Sequence, residues 1–389
     1  MFQDPKRLYT SGMPTPPAVC QAWFGFEAVV CASLATDGFS GAATFMVGSG
    51  GERFVLKGFP AGFPRPRAEW VHALMRHLRQ EGIVEVPAVI PARGGETVVA
   101  DADGQVWELV GFVPGAPVDP PSPAQACAGL EALARLHLAA ERLPGEPVRA
   151  GRSPGHLRRI EQARRLLADP WRRRRERLCA AGAGGDPDRP AATGGFGPDG
   201  DRRRLLERLD AAIERFEEAG GRRAVELVAR SDAGLLPLQA VLRDVWSDHL
   251  LFVVGERDTA RGQAAGGRLA GIVDYHAAGI DTPATDIARL LGSWRPMAGD
   301  DGTVSMLEAW GDAIAAYDRV RPLTAGERAA VPFLRATSVI LGLDNWFRWT
   351  LEEDRRFSEP ARVCARIDRL VEGLAPAIEE TIGAAANLD

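Results

Sequence analysis

The sequence predicts an α+β protein with a small β-rich N-terminal lobe and a larger helical C-terminal lobe. Two observations carry this reading. Short strand candidates separated by glycine turns fill the chain up to about residue 115, and helical periodicity dominates almost everything beyond Pro123. The lobes are set at residues 21–115 and 116–389, preceded by a Pro-rich, poorly ordered arm over residues 1–20. A low-complexity Gly/Pro/Asp stretch, residues 180–201, reads as a flexible surface insertion.

In the first lobe, Thr44 to Val47 and Arg53 to Lys57 flank the turn Gly48-Ser49-Gly50-Gly51 and form a strand pair. Ala68 to Gln80 reads as a helix because Trp70, Leu74 and Leu78 recur at i, i+4 and i+8. Glu96 to Ala100 and Gln105 to Val110 read as a hairpin across Asp101-Ala102-Asp103-Gly104. In the second lobe, Ala124 to Arg142 carries four leucines on an Ala-rich background. Residues 156–178 form an Arg-rich helical stretch, a second short β unit spans Leu250–Val254 and Leu269–Asp274, and residues 284–382 return to helix.

Composition excludes several classes. The 389 residues carry 47 basic against 52 acidic groups, a net charge of −5, so no global basic field suggests a nucleic-acid or membrane partner. No apolar run is long enough for a transmembrane helix, and the N-terminal segment lacks an apolar signal core, which implies a cytoplasmic protein. Five scattered cysteines show no CxxC and no zinc spacing. The arginine run 172–175 reads as a solvated helical face. Only two residues, Lys6 and Lys57, are lysine. In a chain so biased toward arginine, a lysine kept inside an apolar strand calls for a reason.

The densest polar cluster within apolar sequence is Val241 to Phe252, followed by Gly271-Ile272-Val273-Asp274-Tyr275-His276. His249 opens the first strand of a hairpin and Asp274 closes the second, so antiparallel pairing sets them side by side, with Asp244 just upstream able to face the same point. Two carboxylates and an imidazole there suit a hard divalent cation and a positioned acceptor hydroxyl.

Asp244 to His249, followed by an apolar strand, resembles the catalytic loop of protein-kinase-like phosphotransferases, and Val273-Asp274-Tyr275 resembles their metal-binding segment. Ile272 to Leu290 is most similar to the aminoglycoside phosphotransferase and choline kinase-like branch. Phe54-Val55-Leu56-Lys57 resembles the V-A-I-K strand, and Gly38-Phe39-Ser40-Gly41 sits where a nucleotide-covering loop belongs. The resemblance spans residues 35–355 and implies a bilobal protein-kinase-like fold and a kinase that transfers the γ-phosphate of ATP to a hydroxyl of a sugar, amino-alcohol or aminocyclitol.

On that resemblance, Lys57 binds nucleotide phosphate and Glu69 holds Lys57. Gly38, Ser40 and Gly41 cover the nucleotide, and the backbone from Glu108 through Val110 to Phe112 reads adenine. Asp244 orients the acceptor hydroxyl, Asp274 ligates Mg²⁺, and Asp286 braces the catalytic loop through backbone N–H groups. His249 stands where the family has a metal-binding Asn, and an imidazole there shifts preference toward Mn²⁺ or leaves a single-metal site. Leu242 stands where the family has His. These two departures keep open a second reading, a nucleotide-binding pseudokinase or scaffold. Glu69 reads equally as a solvated helix-face carboxylate, His276 as a residue that packs or bonds locally, and His72 as a structural histidine. Trp346 and Trp349 read as core, while Glu352, Glu353 and Asp354 leave open a welcome for a cationic acceptor.

Overall fold

The structure is a computed structural model and describes residues 18–25, 30–34, 43–60, 62–183, 200–232, 234–253, 267–294, 306–353, 355, 357 and 360–385. These fall into two compact units. One comprises Met1–Gly145, Trp246–Ala278 and Pro296–Val320; the other comprises Glu146–Val245, Gly279–Arg295 and Arg321–Asp389. The boundary placed at residue 115 by sequence therefore does not mark the division between units. The first unit also takes in the helix after Pro123 and the hairpin that follows Trp246, because Ala116 and Phe252 exchange backbone hydrogen bonds at 3.0 and 2.9 Å.

Elements are numbered along the chain. In the first unit, β1 (Val30–Ser33), β2 (Ala43–Ser49), β3 (Glu52–Gly58), β4 (Val98–Ala100) and β5 (Val106–Gly111) form an antiparallel sheet in the order β1-β2-β3-β5-β4. The short helix α1 (Gln21–Phe24) brings Trp23 beneath it. The two-residue period of β3 sends Leu56 into a core with Val47, Trp107, Leu109, Trp23 and Cys31. Lys57 consequently points to the other face, directly opposite Glu108 on β5. The β2–β3 turn needs φ of 59° and 84°, supplied by Gly50 and Gly51.

Helix α2 (Arg65–Gln80) starts three residues earlier than its apolar periodicity implied, because Pro64 and Pro66 suit the N-cap and first turn. Its buried stripe is Ala68, Val71, His72, Leu74, Met75 and Leu78, so Trp70 lies off the core face. Helix α3 (Pro123–Ala140) opens with a reciprocal Ser122–Gln125 capping box and packs on α9 (Met306–Val320), where Tyr317 O–H and His137 Nδ1 lie 2.7 Å apart out of solvent. The hairpin of β8 (Leu250–Val253) and β9 (Arg268–Ile272) pairs Leu250 with Ile272.

The second unit holds a three-stranded sheet, order β10-β7-β6, made of β6 (Arg149–Gly151), β7 (Leu236–Val241) and β10 (Gly279–Asp281). Sequence reading missed this sheet because its outer strands are three residues long and show no alternation. Around it pack α4 (Pro154–Ala168), α5 (Trp171–Ala183), α6 (Gly200–Glu218), α7 (Gly221–Arg230), α8 (Pro283–Ser293), α10 (Ala325–Phe347), α11 (Pro360–Glu372) and α12 (Leu374–Ala385). The Arg-rich stretch is not one helix, since Pro170 cannot continue α4 and restarts the chain as α5. Nor is its arginine run all solvated. Arg174 is buried and bonds Asp344 at 2.8 Å, Glu352 at 3.2 Å and Asp169 at 3.4 Å. Trp346 is buried, as expected, against Trp349 and Phe357.

His156, at the start of α4, stacks on Phe333 and lies 2.9 Å from Ser231 Oγ through Nε2. Burial, then the charge of Arg159, pushes its pKa below the usual histidine value. The native ring therefore stays neutral where the unfolded chain already takes up a proton, so its contribution is present above the unfolded value near 6.5 and lost as pH falls toward the folded value. Urea midpoints measured from pH 7.5 to 5 should fall more steeply for the parent chain than for His156→Asn, and parallel curves would contradict this.

Candidate active site

Strand geometry positions the first cluster, which lies within the first unit. Lys57 Nζ donates to Asp274 Oδ1 at 2.6 Å, with the two side chains 14% and 25% exposed. Asp274 immediately follows β9 and takes φ 67°, one of two non-glycine residues with positive φ among those described. A short polar side chain tolerates that region at a cost of about 1–3 kcal/mol, and such strain concentrates where a side chain must be aimed. His249 closes a single 3₁₀ turn before β8, and its carbonyl accepts Val273 N–H at 2.9 Å. The hairpin thereby sets His249 Nε2 3.8 Å from Asp274 Oδ2, as antiparallel pairing predicts. His276 bonds locally, as expected: its Nδ1 hydrogen-bonds Asp274 Oδ1 and lies 3.3 Å from Lys57 Nζ. Burial alone would raise the Asp274 pKa, but the His276 hydrogen bond and the charges of Lys57, His276 and His249 hold it well below the usual carboxylate range.

The helix above this cluster does not act as expected. Glu69 does not hold Lys57; it pairs with Arg65 at 2.8 Å, one turn back on α2, with both side chains nearly half exposed. Its position is one residue off the buried stripe, so it points away from the sheet. His72, on the stripe, reaches inward instead and its Nε2 lies 2.6 Å from Glu108 Oε2. That contact commits the Glu108 side chain, and the register commits the strand backbone, pairing Glu108 with Lys57 and Val110 with Val55. Gly111 N donates to Ala88 O and Phe112 N to Arg53 O. The backbone groups of Glu108 and Val110 thus serve the sheet. A residue that sequence reasoning missed is Arg67. From α2 it donates to the carbonyls of Ala277 (3.2 Å) and Ala278, tying down the segment just after His276. Gly38, Ser40 and Gly41 fall between β1 and β2, outside the described residues.

The second cluster lies within the second unit, on the loop after β7. Asp286 stands in the first turn of α8, behind Pro283, and is fully buried. It accepts Leu242 N–H at 2.7 Å through Oδ2 and Arg243 N–H at 2.6 Å through Oδ1, the bracing expected of it. Arg243 is the other non-glycine residue with positive φ, 66°. A backbone pinned this way delivers Asp244, whose Oδ1 accepts from Arg289 Nε at 3.0 Å and Nη2 at 2.5 Å. Arg289 is a second residue missed from sequence; its signal was its place on the helix of Asp286, one turn further along.

Among the described residues no group of three or more His, Cys, Asp or Glu side chains is arranged to hold a metal by itself. That does not disqualify Mg²⁺, which is commonly held by one or two carboxylates with phosphate oxygens and waters completing an octahedron. Asp274, a hard carboxylate kept ionised by its neighbours, fits such a site. His249 offers a softer nitrogen at its edge.

Residues 33–323 match the model of the phosphotransferase enzyme family, and the chain belongs to that family. It is an ATP-dependent small-molecule phosphotransferase with a hydroxyl acceptor. Curated relatives include a homoserine kinase of Gluconacetobacter diazotrophicus, 28% identical over 76% of this chain and 74% of that protein. A homoserine kinase of Phenylobacterium zucineum is 28% identical over 75% and 72%. Among solved structures, a spectinomycin phosphotransferase in complex with ADP and spectinomycin shares the fold at a TM-score of 0.55 with 12% identity, covering 93% of this chain and 97% of that one. A microcompartment-associated aminopropanol kinase does so at 0.53 with 16% identity, covering 94% and 96%. The fold is protein-kinase-like and α+β. No described helix is long and apolar enough to cross a membrane.

The reassignment of Glu69 has a direct kinetic consequence. Glu69→Ala should leave kcat and the KM for ATP within about twofold, since an exposed i,i+4 pair contributes only about 0.3–0.5 kcal/mol. His72→Leu should instead cost about 1–3 kcal/mol of stability by leaving Glu108 buried and unpaired. A Glu69→Ala variant crippled in ATP use would restore the original assignment.

Proposed function

We propose that Lys57 and Asp274 hold the phosphates of ATP with Mg²⁺, and that Asp244 orients the acceptor hydroxyl and takes its proton. The observation that carries this reading is the Lys57–Asp274 ion pair on a strained residue at the end of β9. An ammonium and an ionised carboxylate are the two groups needed to receive phosphate oxygens and a phosphate-bound cation. Mg²⁺, when bound, neutralises charge on the phosphates as the terminal phosphoryl group transfers.

The work of the chain's own residues is positioning and electrostatics. Lys57 offers three donors on a compact ammonium, which arginine's planar fork reproduces poorly, and this accounts for a lysine surviving the arginine bias. Arg67 and the His249 carbonyl fix the backbone on either side of Asp274, so the carboxylate needs little reorganisation as charge develops. Arg289 holds the Asp244 carboxylate in one orientation, ready to accept a proton from the attacking hydroxyl. The names of relatives and neighbours suggest hydroxylated amino acids, amino alcohols and aminocyclitols as acceptors to try.

The test is ADP release across such a panel with Mg²⁺ and with Mn²⁺. Asp244→Asn should lower kcat about 10²–10⁴-fold while AMP-PNP binding by calorimetry stays within about threefold. Lys57→Ala should weaken nucleotide binding itself. Full turnover in Asp244→Asn would remove that residue from the chemistry.

A further inference from the structure

Within the second unit, four guanidinia gather around the loop that carries Asp244. Arg289 bonds Asp244 directly. Arg159 is enclosed and donates only to neutral groups, Gly155 O at 2.9 Å, Leu334 O at 3.3 Å and Ser338 Oγ at 2.8 Å. Arg158 comes no nearer than 3.8 Å to Asp281. Arg243, immediately before Asp244, has its Nε buried with no hydrogen-bond partner. Three carboxylates face these four cations. Two are already committed to other donors: Asp281 accepts from Ser153 Oγ (2.6 Å), Gly155 N (2.8 Å) and Thr282 N (2.9 Å), and Asp286 accepts from the Leu242 and Arg243 amides. One positive charge is left in excess; of the three guanidinia without a close carboxylate, Arg159 is satisfied by neutral acceptors, which leaves Arg158 and Arg243.

Like charges held close together repel unless an anion bridges them, even where one of them, as Arg158, is half exposed. Burial, and after it the charge of Arg243, depresses the Arg158 pKa. Of the carboxylates that could have welcomed a cationic acceptor, Asp354 lies outside the described residues and the described ones are spent within the chain. Asp344 accepts from Trp171 Nε1 at 2.8 Å and pairs with Arg174, Glu352 pairs with Arg174, and Glu353 pairs with Arg348 at 2.7 Å.

We infer that the acceptor is a hydroxylated carboxylic acid whose carboxylate is bound by Arg243 and Arg158. A planar guanidinium matches a carboxylate in bidentate fashion, and a monoanion balances the single excess charge where a phosphate dianion would overshoot it. The inference rests on the phosphotransferase reading of Asp244 and sharpens it from any hydroxyl compound to an acid.

The test compares L-homoserine, L-threonine and glycerate with their carboxamides, in which an uncharged amide replaces the carboxylate, adding ethanolamine as a cationic probe and glycerol 3-phosphate as a dianionic one. The full chain is used with ATP and Mg²⁺ for transfer, and with AMP-PNP and Mg²⁺ for binding by calorimetry. At least one acid should be preferred over its amide by about tenfold or more in kcat/KM or Kd. Arg243→Gln and Arg158→Gln should each raise the KM or Kd for that acid by about 10–100-fold while the KM for ATP moves less than about threefold, and the penalty on the amide should be small. Arg158 is half exposed, so its variant remains informative if Arg243→Gln fails to fold. Equal use of amides, preference for ethanolamine or glycerol 3-phosphate, or acid affinity indifferent to both substitutions would overturn the inference. Transfer to those other acceptors would leave the phosphotransferase reading standing, whereas loss of AMP-PNP binding and of all transfer would remove that reading separately.

Discussion

The first unit depends on one short ion pair between a strand lysine and a carboxylate more than 200 residues away in sequence. Neither partner is placed by the other alone. Lys57 faces Asp274 because Leu56 is drawn into the opposite core and a strand has a period of two. Asp274 faces Lys57 because the β8–β9 hairpin ends there, and because Arg67 and His276 hold a left-handed backbone that a relaxed chain would leave. The pair is half-buried, where charge attraction is less screened than at the surface and where removing one partner strands the other.

The second unit solves a similar problem with different parts. Asp286 accepts two backbone amides of the loop, so its buried charge buys a fixed loop conformation. That conformation includes a positive φ at Arg243, which presents Asp244 next to arginine donors. Charge around this loop is nearly balanced by side chains already bonded to one another. A small excess is therefore chemically meaningful, since the committed carboxylates cannot turn to neutralise it.

Much of this was legible in sequence, and the failures have physical reasons. The lone strand lysine, the hairpin that joins His249 to Asp274, and the Asp286 brace all follow from local period and motif. Glu69 failed because it was placed by analogy rather than by helical phase. The stripe Ala68, Val71, Met75 and Leu78 puts His72 inside and Glu69 outside, whereas the choice of Trp70 as a core residue hid that phase. Arg67 and Arg289 were missed because their partners are distant in sequence or are backbone carbonyls, which leave no pattern. The positive φ values at Arg243 and Asp274 could not be read at all, since residue type favours glycine there. Whether the backbone of Glu108 and Val110 stays open is set by strand pairing, which residue type does not reveal.

The most direct test is whether Lys57 and Asp274 act as one unit on nucleotide. Calorimetric Kd values for AMP-PNP with Mg²⁺ would be measured for Lys57→Met, Asp274→Asn and the double variant. Because the two bonded groups are proposed to receive the phosphates and their cation together, each single change should weaken binding about tenfold or more, and the double variant should be little worse than the weaker single. Losses that simply multiply would show two independent contacts and contradict the account.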